Sequence, residues 1–192
     1  GETVIDLCAG AGGKTLALAA AMRNAGTLIA ADTDRGRLSR LAPRAERAGA
    51  VVAETVLLDP GRERAALAQW LGKADAVLVD APCSGSGTWR RNPESRWRLG
   101  AEDLDRFAAT QARLLEIAAD LVAPGGRLIY VTCSLLDAEG AGQVETFLAG
   151  HPGWRADVPQ LPLGRSRGDG IRLSPFHDGT DGFFIARLSK PC

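Results

Sequence analysis

Asp80-Ala81-Pro82-Cys83-Ser84-Gly85-Ser86-Gly87-Thr88 comes directly after Ala74-Asp75-Ala76-Val77-Leu78-Val79, and the join between the two decides the fold. The apolar run reads as a buried strand. The loop beyond it is a costly way to make a simple turn. An acid is succeeded by a proline that holds the backbone out of helix, then by a thiol, then by glycines that let the chain bend sharply against a flat ligand. In α/β sheets ligands sit beyond the carboxyl ends of the strands, which is where Asp80 and Cys83 fall. Leu128-Ile129-Tyr130-Val131-Thr132-Cys133-Ser134 repeats the pattern, a buried-type strand ending in a thiol. Two thiols at two strand ends point to chemistry.

Towards the N-terminus, Thr3 to Leu7 reads as the first strand of the same sheet. Cys8-Ala9-Gly10-Ala11-Gly12-Gly13-Lys14-Thr15 then leads into a helix from Leu16 to Arg23. A strand, a glycine-rich turn and a helix suit a nucleotide-type ligand held by backbone N–H groups at a helix N-terminus. The phosphate-loop form of that motif fails, because Cys8 stands where its first glycine belongs. The dinucleotide form fails too, because Thr15 stands where its third glycine belongs. A tight strand–helix turn without a ligand is the plain alternative. Strand two, Thr27 to Ala31, ends at Asp32, an acid placed to accept from both hydroxyls of a ribose. The alternative is a cap for the helix Arg35 to Ala48, a role Asp34 serves better. Arg37, one turn into that helix, faces either a ligand or solvent.

A third strand, Val51 to Leu57, ends at Asp59-Pro60, and Arg62 to Leu71 reads as a short helix. Beyond the central loop the longest helix runs from Glu102 to Ala123, with Leu104, Phe107, Ala108, Gln111, Leu115, Ala118 and Val122 on one stripe. Pro124-Gly125-Gly126 ends it before the Cys133 strand. Gly140 to Ala149 is a further helix, and Gly170 to Pro175 with Gly182 to Leu188 forms a hairpin. This alternation predicts an α/β fold, a doubly wound sheet that is mostly parallel with one antiparallel C-terminal strand.

A chain of 192 residues suits one domain, and its 45% hydrophobic and 24% charged residues are globular values. The net charge of +0 neither demands nor excludes a nucleic acid. No apolar run reaches the length of a membrane span, so no membrane partner is expected. Cys8, Cys83, Cys133 and Cys192 lie far apart with no secretory cue, so free thiols in a reducing, cytoplasmic compartment are expected. With no CxxC pair and 2 histidines, no metal site is expected. The chain opens at Gly1 and is in a strand by Val4, which reads as a single excised catalytic domain, expected to be monomeric. One segment breaks the charge balance. In Trp89 to Arg98, the arginines Arg90, Arg91, Arg96 and Arg98 against Glu94 give a local charge of +3, interleaved with Trp89 and Trp97. Arginine with aromatics suits phosphate contact and base stacking. A solvated loop pinned by buried tryptophans is the plain alternative.

The glycine loop with Asp32 and Asp59 describes an adenosine site that needs no phosphate. A hydride cofactor would want the missing fingerprint, whereas S-adenosyl-methionine has a ribose and an adenine and no phosphate. It is expected to lie across Cys8, Ala9, Gly10, Ala11, Gly12, Gly13 and Lys14, with Asp32 on the ribose, Asp59 towards the adenine amine and Arg37 flanking that end. Asp80 closes the set.

Asp6-Leu7-Cys8-Ala9 with Gly12-Gly13-Lys14-Thr15, the Asp80 to Gly85 run, Thr132-Cys133-Ser134 and Thr180-Asp181-Gly182-Phe183-Phe184 together resemble the Sun family of RNA cytosine-5 methyltransferases. Within it the chain looks most like the bacterial branch that modifies small-subunit (16S) ribosomal RNA. The ordered set spans nearly the whole chain. Gly10-Ala11 departs from it, because the family usually reads alanine-proline there. The resemblance implies a Rossmann-like class I methyltransferase sheet and S-adenosyl-methionine as methyl donor. It implies that Cys133 adds to C6 of the cytosine and that Cys83 helps to release the methylated product. Asp80 is placed to stabilise the charge that addition creates, with Lys14 in support. A single-stranded or flipped cytosine in RNA is the expected substrate, and an RNA-binding portion is expected to precede this domain in the full protein. The same chemistry on transfer RNA or DNA, or a cofactor-binding fragment inactive by itself, are the rival readings.

Overall fold

Aliphatic and β-branched runs become strands here because both of their faces are covered. In the computed structural model, which describes residues 1–192, β1 (Glu2–Asp6) lies parallel to β2 (Gly26–Asp32) with Val4 opposite Leu28. It also lies parallel to β4 (Ala74–Asp80), with Val4 opposite Ala76. β3 (Glu54–Leu57) continues the parallel set on β2, Ala31 facing Val56. Ile5, Ile29, Ala30, Val77 and Val79 have no exposed surface, as strands covered on both faces require.

The chain divides into two compact units, one of Gly1–Asp80, Ile117–Leu128 and Cys192, the other of Ala81–Glu116 and Ile129–Pro191. The first holds strands in the order β3-β2-β1-β4. β5 (Val122–Thr132) contributes residues to both units and is followed across the sheet by β9 (Phe183–Ser189), β8 (Gly170–Leu173) and β7 (Arg165–Arg167). β8 and β9 are antiparallel with Arg172 opposite Phe184, so the fold is the expected α/β one, mostly parallel with an antiparallel C-terminal strand. β6 (Arg155–Ala156) on β9 and β7 on β8 extend this antiparallel edge, and both are too short and polar to announce themselves in sequence.

The helices obey the chain's own stop signals. α1 (Gly13–Ala21) is built from leucines and alanines, strong helix formers, and ends before Arg23 and Asn24, both at positive φ. The Asn24 side chain accepts from Val51 N at 2.9 Å and donates to Gly49 O at 2.8 Å, which fixes the approach to β3. The single helix expected over Arg35 to Ala48 is instead two, α2 (Arg35–Leu38) and α3 (Leu41–Ala48). Pro43 has no N–H to return to Ser39, so the ladder cannot pass through, and the proline is tolerated only in a new first turn. Asp34 caps α2, its Oδ1 accepting from Arg37 N at 2.9 Å. α4 (Glu63–Ala66) and a 3-10 turn at Ala68–Trp70 stand where one short helix was expected.

α5 (Ala101–Leu121) buries Gln111, Leu115 and Ala118 along the expected stripe, but it ends before Val122, which with Pro124-Gly125-Gly126 lies in β5 and not in or after the helix as expected. α6 (Ala141–Gly150) precedes β6. α7 (Pro175–Asp178) fills the hairpin connection, Ser174 Oγ accepting from His177 N at 3.3 Å. No helix is long and apolar enough to cross a membrane. No group of three or more His, Cys, Asp or Glu side chains is arranged to hold a metal ion.

Candidate active site

The turn after β1 is shaped by two glycines with positive φ, Gly10 at 55° and Gly12 at 89°. A Cβ on Gly12 would stand 2.1 Å from Leu41 Cδ1, so the backbone conformation and the packing both demand glycine there. A Cβ on Gly10 would stand 2.6 Å from Arg37 Nη2. Arg37 therefore lies against the glycine loop, with its side chain exposed. Asp32 is 8% exposed and uses one carboxylate oxygen to accept from Gly10 N and the other to accept from Asp34 N, each at 2.7 Å. The turn is further tied down by Ala9 N donating to Ala31 O at 2.9 Å and Gly12 N donating to Ala9 O at 2.8 Å. A carboxylate offers about four lone-pair directions, so Asp32 still has acceptors for a ribose diol. Gly13 adds open space, with no heavy atom within 4 Å of a Cβ built on it. This donor set fits an adenosine-type cofactor. Asp59 is exposed just beyond β3, and Cys8 and Ala11 are half-buried in the turn.

Beneath the turn, Asp6 is fully buried and accepts from Thr15 Oγ1 at 2.7 Å. Burial raises its pKa to about 6; the Thr15 hydroxyl and Lys14 pull against that rise, and the Asp80 charge adds to it. The Cys8 thiol is pushed well above the ordinary thiol range, first by burial and then by the charges of Asp32, Asp6 and Asp80. That shift favours the neutral Cys8 thiol over its thiolate. Lys14 Nζ donates to Asp80 Oδ2 at 2.5 Å at the end of β4.

In the second unit Cys83 Sγ and Cys133 Sγ are 3.4 Å apart, both half-buried. Ala81 N donates to Val131 O at 2.9 Å and Gly87 N to Cys133 O at 3.0 Å, so the two thiol loops are laced together by backbone. The Cys83 thiol is held far above its ordinary range, chiefly by its hydrogen bond to Cys133, then by burial and by the charge of Cys133. Behind the sulfurs a polar cluster of Ser84, Ser86, Ser134, Gln111 and Glu139 is buried. The Thr180 to Phe184 stretch finds its physical reason here. Gly182 N donates to Gly87 O at 2.8 Å, and a Cβ on Gly87 would stand 2.1 Å from Gly182 O. Asp181, beside it, accepts from Arg91 Nε at 2.6 Å.

That last contact divides the arginine–tryptophan segment. Arg91 and, at 3.8 Å, Arg90 are paired with Asp181. Arg96 stacks on Trp97 at 4.4 Å from the ring centroid, and Trp97 is 77% exposed. Trp89 is half-buried. Trp89 is thus the more enclosed of the two tryptophans. Arg98 lines an open cavity of about 240 Å³ with Ser84, Ser95, Asp103, Arg106 and Phe107. Sequence reasoning missed Glu139, and it quoted Asp181 and Thr15 only as parts of motifs, with no role. Thr15 was legible as a polar residue in a helix's first turn, whereas the other two depend on partners far away in the chain.

Known proteins resemble the chain over its length. The ribosomal RNA small subunit methyltransferase B of Thermus thermophilus is 42% identical over 193 residues, covering 99% of this chain and 45% of that protein. Its counterpart in Erwinia tasmaniensis is 37% identical over 192 residues, covering 99% of this chain and 42% of that protein. The chain thus spans less than half the length of these relatives. Among solved structures, NSun6 from Pyrococcus horikoshii with SFG superposes with a TM-score of 0.86 at 29% identity, over 98% of this chain and 48% of that one. PH0851 superposes with a TM-score of 0.92 at 40% identity, over 99% of this chain and 43% of that one. The family described as 16S rRNA methyltransferase RsmB/F matches residues 1–189, and the chain belongs to that family.

Proposed function

We propose that this chain transfers a methyl group from S-adenosyl-methionine to C5 of a cytosine in RNA, with small-subunit ribosomal RNA in the cytoplasm as the target. The observation that carries the reading is the 3.4 Å approach of the Cys83 and Cys133 sulfurs. A nucleophile alone needs one thiol. Methylation at C5 asks for two groups at one base, one to add at C6 and one to take the proton that C5 must lose.

Cytosine C5 is a poor nucleophile until something adds at C6. Cys133 is assigned that addition: its Sγ bonds to C6, and the C5–C6 π electrons move onto C5 and the ring. When bound, S-adenosyl-methionine would supply a sulfonium methyl to those electrons, its S–CH3 bond breaking and a neutral thioether leaving. Asp80 is assigned to N3 or the exocyclic amine, where charge builds during addition, with Lys14 paired to it. Cys83, three residues beyond Asp80 in the chain, is assigned the last step, after bonding of Cys133 to C6 has removed the hydrogen bond and charge that raise the Cys83 pKa and its proton has passed to solvent. Cys83 then takes the C5 proton, the C5–C6 double bond re-forms, and the C6–S bond breaks to return the Cys133 thiolate. The glycine loop, Asp32, Arg37 and Asp59 are assigned to the cofactor. The NSun6 neighbour, solved with SFG, an analogue of S-adenosyl-methionine, supports that assignment. The segment with Trp97, Arg96 and Arg98 is assigned to RNA, which must present its cytosine unstacked.

Transfer of labelled methyl from S-adenosyl-methionine to transcribed small-subunit ribosomal RNA tests the reading. Label is expected in 5-methylcytosine and is expected to vanish in Cys133→Ala. Label in any other nucleoside would overturn it.

A further inference from the structure

Methyl transfer as proposed uses two thiols and leaves a buried carboxylate behind them unexplained. Glu139 ends a short 3-10 turn (Asp137–Glu139) and is 1% exposed. Its Oε2 accepts from Ser84 Oγ at 2.5 Å and from Ser134 Oγ at 2.6 Å. Its Oε1 accepts from Ser84 N at 2.8 Å and from Gln111 Nε2 at 3.2 Å. Four donors fill the four lone-pair directions of one carboxylate. Its backbone oxygen accepts twice more, from Tyr130 OH at 2.8 Å and Thr132 Oγ1 at 3.3 Å, both on β5. Ser84 comes next after Cys83, and Ser134 next after Cys133. One side chain therefore holds the residue after each thiol.

We infer that Glu139 is the positioning residue that sets the separation of the two thiols, a role that takes its catalytic meaning from the methyl-transfer reading. The chemistry of the contact favours this over simple packing. Burying a carboxylate is costly unless every lone pair is met, and an apolar residue of similar size would fill the space at less expense. A carboxylate gives what an apolar group does not, namely fixed directions to two serines on separate loops. The serine network then locks in turn. Ser86 Oγ lies 3.1 Å from Ser134 Oγ and accepts from Leu135 N at 2.9 Å.

Reach and charge make opposite predictions, which separates them. In E139Q the amide oxygen still accepts from Ser84 N and Gln111, and its NH2 donates to the two serine hydroxyls, which rotate to accept. Geometry is kept and the charge is lost. In E139D the charge is kept, but the shorter side chain cannot reach both serines. The readout is the thiol pair itself. Diamide takes two hydrogens from the pair, becoming a hydrazine as Cys83 and Cys133 join, and peptide mapping tracks the linked peptides without reference to methyl transfer. Wild type and E139Q should crosslink at rates within about threefold of each other. E139D and E139A should be slower by about tenfold or more while circular dichroism shows a folded protein. If E139A does not fold, E139D against E139Q decides alone. A fast E139D with a slow E139Q would overturn the inference in favour of a charge effect, and uniform rates would reduce Glu139 to a packing group. Should crosslinking keep the predicted order while no variant, wild type included, methylates RNA, the positioning stands and the methyl-transfer reading fails.

Discussion

Cys83 Sγ lies 3.4 Å from Cys133 Sγ, within hydrogen-bonding distance, and this contact is the first cause that holds the Cys83 pKa above the ordinary thiol range. Composition and spacing left open which of the two attacks. Cys133 is assigned the attack because the family resemblance implies that order.

Asp6 should make stability fall as pH rises through mild acid. Its folded pKa stands near 6 against an ordinary 3.8, so between those values the fold keeps a proton that the unfolded chain has already released. The full loss is roughly 3 kcal/mol by the time both states are ionised. Asp6→Asn keeps an oxygen for Thr15 and should flatten that slope. Denaturant unfolding of both proteins between about pH 4 and pH 7 checks it, and equal slopes would assign the effect to another group.

Asp32→Ala should weaken S-adenosyl-methionine binding by about 1.5–3 kcal/mol, the usual range for hydrogen bonds to a charged acceptor. The loss has two sources, the ribose contacts and the release of Gly10 N, which Asp32 holds at 2.7 Å. Calorimetry on the folded variant measures it. Unchanged affinity would remove Asp32 from the cofactor site.

Gly12→Ala should destabilise the fold by about 1–2 kcal/mol from its left-handed backbone alone. Displacement of the fully buried Leu41, whose Cδ1 would stand 2.1 Å from the new methyl, adds to this. A lowered thermal midpoint is the expected result. An unchanged one would mean that the turn relaxes without strain.

The arginines should now divide by partner. Arg96→Gln with Arg98→Gln should flatten the salt dependence of RNA binding by about 1.4 in the logarithmic slope, near 0.7 per phosphate contact on a single strand. Arg91→Gln should instead lower thermal stability, because it removes the closer of the two arginines paired with Asp181, which is largely buried. Salt titrations of RNA binding and thermal melts separate the two classes.

The range of each interaction decides whether it was legible in the sequence. The parallel strands showed as aliphatic runs, and the cap at Asp34 showed as an acid ahead of a helix, because both are local. The break at Pro43 was written in the chain but hidden by an otherwise helical pattern. Asp181 meets Arg91 across 90 residues, and Glu139 meets Ser84 across 55. No local periodicity reports such a partner. The motif of Thr180 to Phe184 marked the place without giving its reason, which is the close backbone approach of Gly182 to Gly87.

The most direct test of the account is denaturing electrophoresis of Cys83→Ala after incubation with S-adenosyl-methionine and small-subunit ribosomal RNA. If Cys133 adds to C6 and Cys83 acts only in release, this variant should form the bond and fail to break it. A protein–RNA adduct should accumulate, dependent on both cofactor and target cytosine, and Cys133→Ala should give none. An adduct from Cys133→Ala and none from Cys83→Ala would reverse the two roles and contradict the account.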